Sequence, residues 1–445
     1  MTKNLTEGNP LRLILAFSLP VLLGNLLQQF YNMADTSIVG LYLGSNALAG
    51  VGASSSVQFL VLGFCEGLTT GLTVPVAQRF GAGDISSMKK NIFNGMLLLG
   101  AVSIAVTSLC VVFCSGILHI LNTPDDIFVN AYTYLVTTFA GIPLMILYNY
   151  MSGILRAVGD SKTPLVFLVF STVFNLGLDV VCVMGLGLGV LGAALATVVS
   201  QGLCGLLCFL YINKRVEVLK LNKEDCVPCR KMMLYLLGLG LPMGLQFSIT
   251  AIGSMILQTA NNSLGSTYIS SFTAVTKLKQ LFFSPFVALG IAVSTFASQN
   301  LGAQKIDRIK KGLWQGTFIG VLFGLCLGVV FWFFGEYFIM LFIHKDEVEV
   351  IMYAKQYLVT LGIFYWVIGF LNLWRPSVQS IGYSGKAMFA GFFELAARSL
   401  VTYIFVPVYG YSAVCFADPM AWIFSASFII PVMLLALRKM EKRAR

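Results

Sequence analysis

Long apolar runs separated by short polar stretches set the rhythm of the chain. They lie near residues 11–37, 47–76, 91–117, 130–155, 163–186, 189–213, 233–259, 267–297, 312–343, 351–380, 387–408 and 411–437. Each is about 20 residues or longer, enough to cross a hydrocarbon core of about 30 Å as a helix. A backbone facing lipid must satisfy its own hydrogen bonds, and unbroken runs of Leu, Val, Ile and Phe lack the alternation of barrel strands. The pattern predicts an all-α integral membrane protein with twelve transmembrane helices. The opening MTKNLTEGNP has no short apolar core with a small-residue cleavage site, so the first span is expected to be retained.

The runs also repeat. VAQRFGAGDISSMKKN at 76–91 realigns with ASQNLGAQKIDRIKKG at 297–312, LGS at 43–45 with LGS at 264–266, SLP at 18–20 with GLP at 240–242, and AVGDSK at 157–162 with SIGYSG at 380–385. The offset stays between 221 and 223 residues throughout, so the chain reads as two copies of one six-helix unit. Six is even, so both copies start on the same side and the repeat is parallel, with its axis along the membrane normal. That predicts two six-helix lobes, residues 1–213 and 232–445, around a central cleft, joined by the polar linker 214–231. Such designs suit alternating access about a site at mid-depth.

Composition sharpens the reading. The chain is 57% hydrophobic and 11% charged, against about 25% charged residues in a soluble domain. The net charge of +10 does not point to nucleic acid, because its placement follows alternate loops. Arg79, Lys89 and Lys90 follow span 2, Arg156 and Lys162 follow span 4, and Lys214, Arg215, Lys220, Lys223, Arg230 and Lys231 follow span 6. Lys305, Arg308, Lys310 and Lys311 follow span 8, Lys386 follows span 10, and five basic residues from Arg438 to Arg445 end the chain. The loops LYLGSN, LNTPDD, MGLGLG, NNSLGS and PVYGYS carry none. By the positive-inside rule both termini are expected in the cytoplasm and the protein in the cell (inner) membrane, in contact with its lipids. Eight of the ten cysteines lie in apolar runs, where small thiols are ordinary packing residues. CVPC, with Cys226 and Cys229, could be redox-active or half of a metal site, but a lone pair without a second pair or a nearby His is a weak signal for either.

An ionisable side chain at the bilayer centre costs about 2.5 to 3.5 kcal/mol on insertion scales, which makes each one a functional candidate. Asp35 is the first, on a span that also carries Gln28, Gln29 and Asn32; Gln28, Asn32 and Asp35 share one helical face. Span 5 places Asn175 and Asp179 four residues apart, and span 6 has Thr197 and Gln201 at the same spacing. Two carboxylates, an amide and a hydroxyl are hard oxygen ligands suited to Na⁺, and a desolvated carboxylate suits H⁺ equally. Glu66 in span 2 either lines a substrate cavity or is paired structurally. No HExxH, GxSxG or GxxxxGK[ST] is present, so no catalytic residues and no cofactor beyond a coupling Na⁺ or H⁺ are expected.

SLPVLLGNLLQQFYNMADTSIVGLYLG, AQRFGAGD, GILRAVGDSKTP and GLPMGLQ, with twelve spans in two parallel halves, resemble the MATE family of multidrug and toxic-compound extrusion proteins over essentially the whole chain. That resemblance implies a cation site of the DinF-like type at Asp35, Asn175, Asp179 and Thr197, and bending of the first helix at Pro20. Where NorM-like members place acids in the second half, this chain has Gln246 in span 7 and Arg375 with Gln379 in span 10. Lys277 and Lys279 on span 8, and Glu394 with Arg398 a turn apart on span 11, complete the second half; the two lysines, with Gln28, Gln29, Asn32, Glu66, Gln246, Arg375 and Gln379, are the candidates to line a substrate cavity. Glu394 and Arg398 read as a structural pair, or as part of a cationic cavity for an anionic or zwitterionic group. The implied function is a monomeric secondary exporter that moves amphipathic or cationic small molecules against Na⁺ or H⁺; the alternative is a flippase for a lipid-linked saccharide or other anionic amphiphile.

Overall fold

The computed structural model describes residues 3–121 and 123–444; Asn122 of the LNTPDD loop and Arg445 of the basic tail lie outside the described residues. In chain order the helices are α1 (Pro10–Leu43), α2 (Ser45–Gly81), α3 (Ile85–Ile120), α4 (Asp125–Ala140), α5 (Ile142–Ala157), α6 (Lys162–Asp179) and α7 (Gly189–Arg215). They continue with α8 (Arg230–Asn262), α9 (Ser266–Gly302), α10 (Ile306–Ile339), α11 (Val348–Ser380), α12 (Ser384–Leu400), α13 (Val406–Tyr409) and α14 (Tyr411–Ala444). Eleven described spans are long and apolar enough to cross a membrane, α12 being counted through to Tyr409; the α4–α5 pair, bent by 48° at Gly141, is the twelfth.

Local chemistry explains the ends. The Asn9 side chain accepts from Leu11 N (3.0 Å) and caps α1. Asp84 does the same for α3 through Ser87 N (3.0 Å). The repeat is written in the backbone as well: Gly44 and Gly265, Gly159 and Gly382, and Gly189 and Gly410 all turn through positive φ at corresponding places. Both α6 and α12 end by widening into π-helical turns, at Val180–Gly185 and Val401–Phe405.

The described chain forms two compact units. The first holds Met1–Asn4 and Leu23–Gly244, the second Leu5–Leu22 and Leu245–Arg445. These differ from the lobes expected from the repeat, because the division falls inside α1 and inside α8, just beyond Pro20 and Pro242. Packing gives the reason. Ile14, Phe17 and Val21 of α1 are buried in the same core as Val293, Phe296 and Leu313 of the second unit. Leu236 of α8 is buried with Leu68 and Leu72 in the first, where a Cβ on Gly71 would stand 2.5 Å from Gly240 Cα.

The segments leading into these two helices are fastened in parallel ways. Leu5 N donates to Gln299 Oε1 (2.9 Å), and Arg308 Nη1 to Gly8 O (2.9 Å), in the second unit. In the first, Asn94 Nδ2 donates to Val227 O (3.1 Å) and Cys229 N to Asn94 Oδ1 (2.7 Å), which holds the exposed CVPC segment against α3.

Candidate functional sites in each unit

In the first unit α1, α6 and α7 converge on buried polar side chains. Asp35, Asn175 and Asp179 are 7%, 1% and 0% exposed. Tyr31, one turn before Asp35, donates to Thr197 Oγ1 at 2.9 Å, and Thr197 donates to Ala193 O at 3.1 Å. Asp35 and Asp179 lie within electrostatic reach of each other, and the hydroxyls of Tyr31 and Tyr134 lie within reach of both. Val39, Val51, Val183 and Val190 form an apolar wall nearby. Asp35 Oδ1, both carboxylate oxygens of Asp179 and both amide atoms of Asn175 have no hydrogen-bond partner among the described residues. Two carboxylates without a paired cation are costly to bury. A hard oxygen set of this kind fits one small cation or protons. Tyr31 links α1 to Thr197 and lies within reach of Asp35 and Asp179, with Asn175 one turn before Asp179; sequence reading had singled out neither Tyr31 nor Tyr134.

The other candidates of this unit do not join them by any described bond. Gln28 and Gln29 are half-buried, and Asn32 is exposed, as is Glu66 on α2. Pro20 is buried within α1 in the second unit.

The second unit holds a different polar centre. Gln379 Nε2 donates to Gln246 Oε1 at 2.6 Å, so these buried amides clasp α11 to α8. Glu394 and Arg398, expected to pair with each other, are instead partnered elsewhere. Arg375 Nη1 donates to Glu394 Oε1 (2.9 Å) and Thr250 Oγ1 to Oε2 (3.0 Å), while Arg398 Nε donates to Asp418 Oδ1 (3.0 Å). The cause is Asp418 on α14, 2% exposed, a buried carboxylate that demands cations. Lys279 Nζ (2.6 Å) and Tyr357 Oη (3.0 Å) also donate to it. Lys277, two residues before Lys279, is exposed on the same helix. Sequence reading passed over Asp418, although FADPM inside the last apolar run carries the signal that had singled out Asp35.

Up to twelve candidate spans in two copies of one helical unit, each copy burying ionisable side chains, define a polytopic helical membrane protein. The chain belongs to the MatE family, whose signature matches residues 20–181 and 242–404, one stretch in each repeat. It is 33% identical over 377 residues to the probable multidrug resistance protein YpnP of Bacillus subtilis (strain 168), covering 85% of this chain and 84% of that one. It is 23% identical to the FAD transporter of Shewanella oneidensis (strain ATCC 700550 / JCM 31522 / CIP 106686 / LMG 19005 / NCIMB 14063 / MR-1), covering 83% and 82%. Among solved structures, the outward-facing conformation of a multidrug resistance MATE family transporter of the MOP superfamily superposes with a TM-score of 0.91 at 21% identity, over 99% of both chains.

Proposed function

We propose that the protein is a monomeric secondary active exporter of the cell membrane, with both termini in the cytoplasm, that expels amphipathic or cationic organic compounds in exchange for Na⁺ or H⁺. The observation that carries this reading is the set of unpartnered oxygens on Asp35, Asn175 and Asp179. A cation or protons entering there neutralise two buried carboxylates, and that gain differs between two states only if the helices bearing them move. α1 is the moving element: the Tyr31–Thr197 bond ties it to α7, and Pro20 removes one of its backbone bonds. Ion uptake then favours the state with low substrate affinity, and its differential affinity sets the size of the shift. The multidrug resistance relatives support the substrate class.

Transport in proteoliposomes with Na⁺ and H⁺ gradients imposed separately tests the proposal. Ethidium or norfloxacin efflux should follow one gradient, and Asp35→Asn should fold normally yet lose gradient-driven efflux by about tenfold or more. Undiminished efflux by that variant would overturn the assignment.

A second reading, carriage of a lipid-linked saccharide or another anionic amphiphile, is favoured by one observation. Lys277 is exposed on α9 eleven residues from its start at Ser266, about 16 Å along the helix, a depth at which a lysine needs water or an anion. The FAD transporter among the relatives carries a cargo of that charge. Gradient-dependent movement of such an anion, with no drug efflux, would select this reading.

A further inference from the structure

The repeat carries the cation site of the first unit onto the charged centre of the second. With Pro20 and Pro242 as markers, Tyr31 and Asp35 correspond to Gly253 and Leu257. From the paired turns Gly44 and Gly265, Gln58 of α2 corresponds to Lys279 of α9. From Gly159 and Gly382, Asn175 and Asp179 correspond to Arg398 and Thr402; from Gly189 and Gly410, Thr197 corresponds to Asp418. The place in the fold is the same and the charge is reversed.

Unit 1 gathers two carboxylates with no paired cation. Unit 2 gathers three cations, Lys279, Arg375 and Arg398, with two carboxylates, Glu394 and Asp418, which leaves one positive charge in excess. The unsatisfied atoms follow the sign. In unit 1 four of the five on Asp35, Asn175 and Asp179 are oxygens of carboxylates or an amide; around Arg398 they are the donors Arg398 Nη1, Thr402 Oγ1 one turn on, and Tyr365 Oη. Tyr365 packs on Trp422 (ring centroids 5.8 Å apart), itself one turn from Asp418. Arg398 is 5% exposed, and its Nη1 lies 3.3 Å from where a Cβ of Gly253 would stand, over ground that Tyr31 fills in the other repeat. A buried guanidinium N–H, a free hydroxyl one turn on at Thr402 and another at Tyr365 within electrostatic reach of Asp418, in a network one charge too positive, are the donors an anion site needs.

We infer that the Arg398 centre of the second unit binds one small monoanion, of chloride or carboxylate chemistry, between α8, α11, α12 and α14. This site is separate from the cation site and stands whichever cation couples transport. Its test is thermal unfolding of the full-length protein in detergent at fixed Na⁺, with sodium gluconate exchanged for chloride, bromide or acetate. The unfolding midpoint should rise saturably with the bound anion and not with gluconate. Thr402→Val, which keeps every ion pair, should raise the half-saturating concentration about tenfold, the loss of one hydrogen bond to a charged ligand. Lys279→Gln removes the excess charge and should abolish the response. Saturation by acetate but not by halide keeps the site and makes an acid group of a cargo its occupant; saturation by halide makes it a resident ion. A midpoint indifferent to all four anions overturns the inference, as does a response that Thr402→Val leaves unchanged.

Discussion

Asp179 has neither carboxylate oxygen satisfied and no measurable exposure, so under the proposed ion exchange it is a source of instability that a bound cation or proton would relieve. Asp179→Asn should therefore unfold no earlier than the native chain in buffer without the coupling ion, and should lose the midpoint shift that the ion gives the native chain; differential scanning with and without Na⁺, at two pH values, reads both. Asp84 works in the opposite sense. Outside the spans, the Ser87 backbone N–H, aided by Arg79 at 3.2 Å, holds its carboxyl below the usual range. A depressed folded value contributes stability that is present above the unfolded pKa of about 3.9 and is lost as pH falls through the folded value. Asp84→Ala should cost about 1 kcal/mol at neutral pH, as lost helix caps do, and should flatten the dependence below pH about 4 in acid titration of stability. At this scale the carboxylates and amides of the first-unit site were legible, because a charge inside an apolar run stands out. Tyr31 was not: within FYNMAD it reads as one more aromatic, and only the approach of α1 to α7 makes its hydroxyl a ligand for Thr197. Asp418 was legible by the same rule as Asp35, but its three partners come from α9, α11 and α12, which no spacing reveals.

The spans, up to twelve of them, and their order followed from apolar run length, and the repeat gave their correspondence. Their partners did not follow, since a periodic pattern identifies a buried face without saying what covers it. The first halves of α1 and α8 show this best: both are apolar and evenly patterned, yet each contributes to the core of the other repeat's unit. Where α8 meets α2, Gly71 and Gly240 allow near backbone contact. Gly71→Leu makes α2 more apolar but cannot fit against Gly240, and overpacking of this kind costs about 1–3 kcal/mol. Its unfolding midpoint should fall, with Gly100→Leu, where an added Cβ meets nothing within 4 Å, as the unaffected control.

For the whole molecule, the polar stretch between Arg215 and Arg230 looks like the place where the chain could be cut into two folding pieces. The packing says otherwise. A fragment ending at residue 215 lacks the part of α8 that buries Leu236, and one starting at 230 lacks Ile14, Phe17 and Val21. Each fragment made alone should be degraded or insoluble, whereas the two made together in one membrane should recover transport, measured by efflux from cells carrying one or both. The same exchange bears on origin. If the duplicated unit once existed as a half-length polypeptide, its opening half-helix had no place in its own core. Two such polypeptides would have traded those half-helices, in the manner of a domain-swapped dimer; fusion of the two genes then fixed an exchange that was already obligatory and freed each copy to carry its own charge.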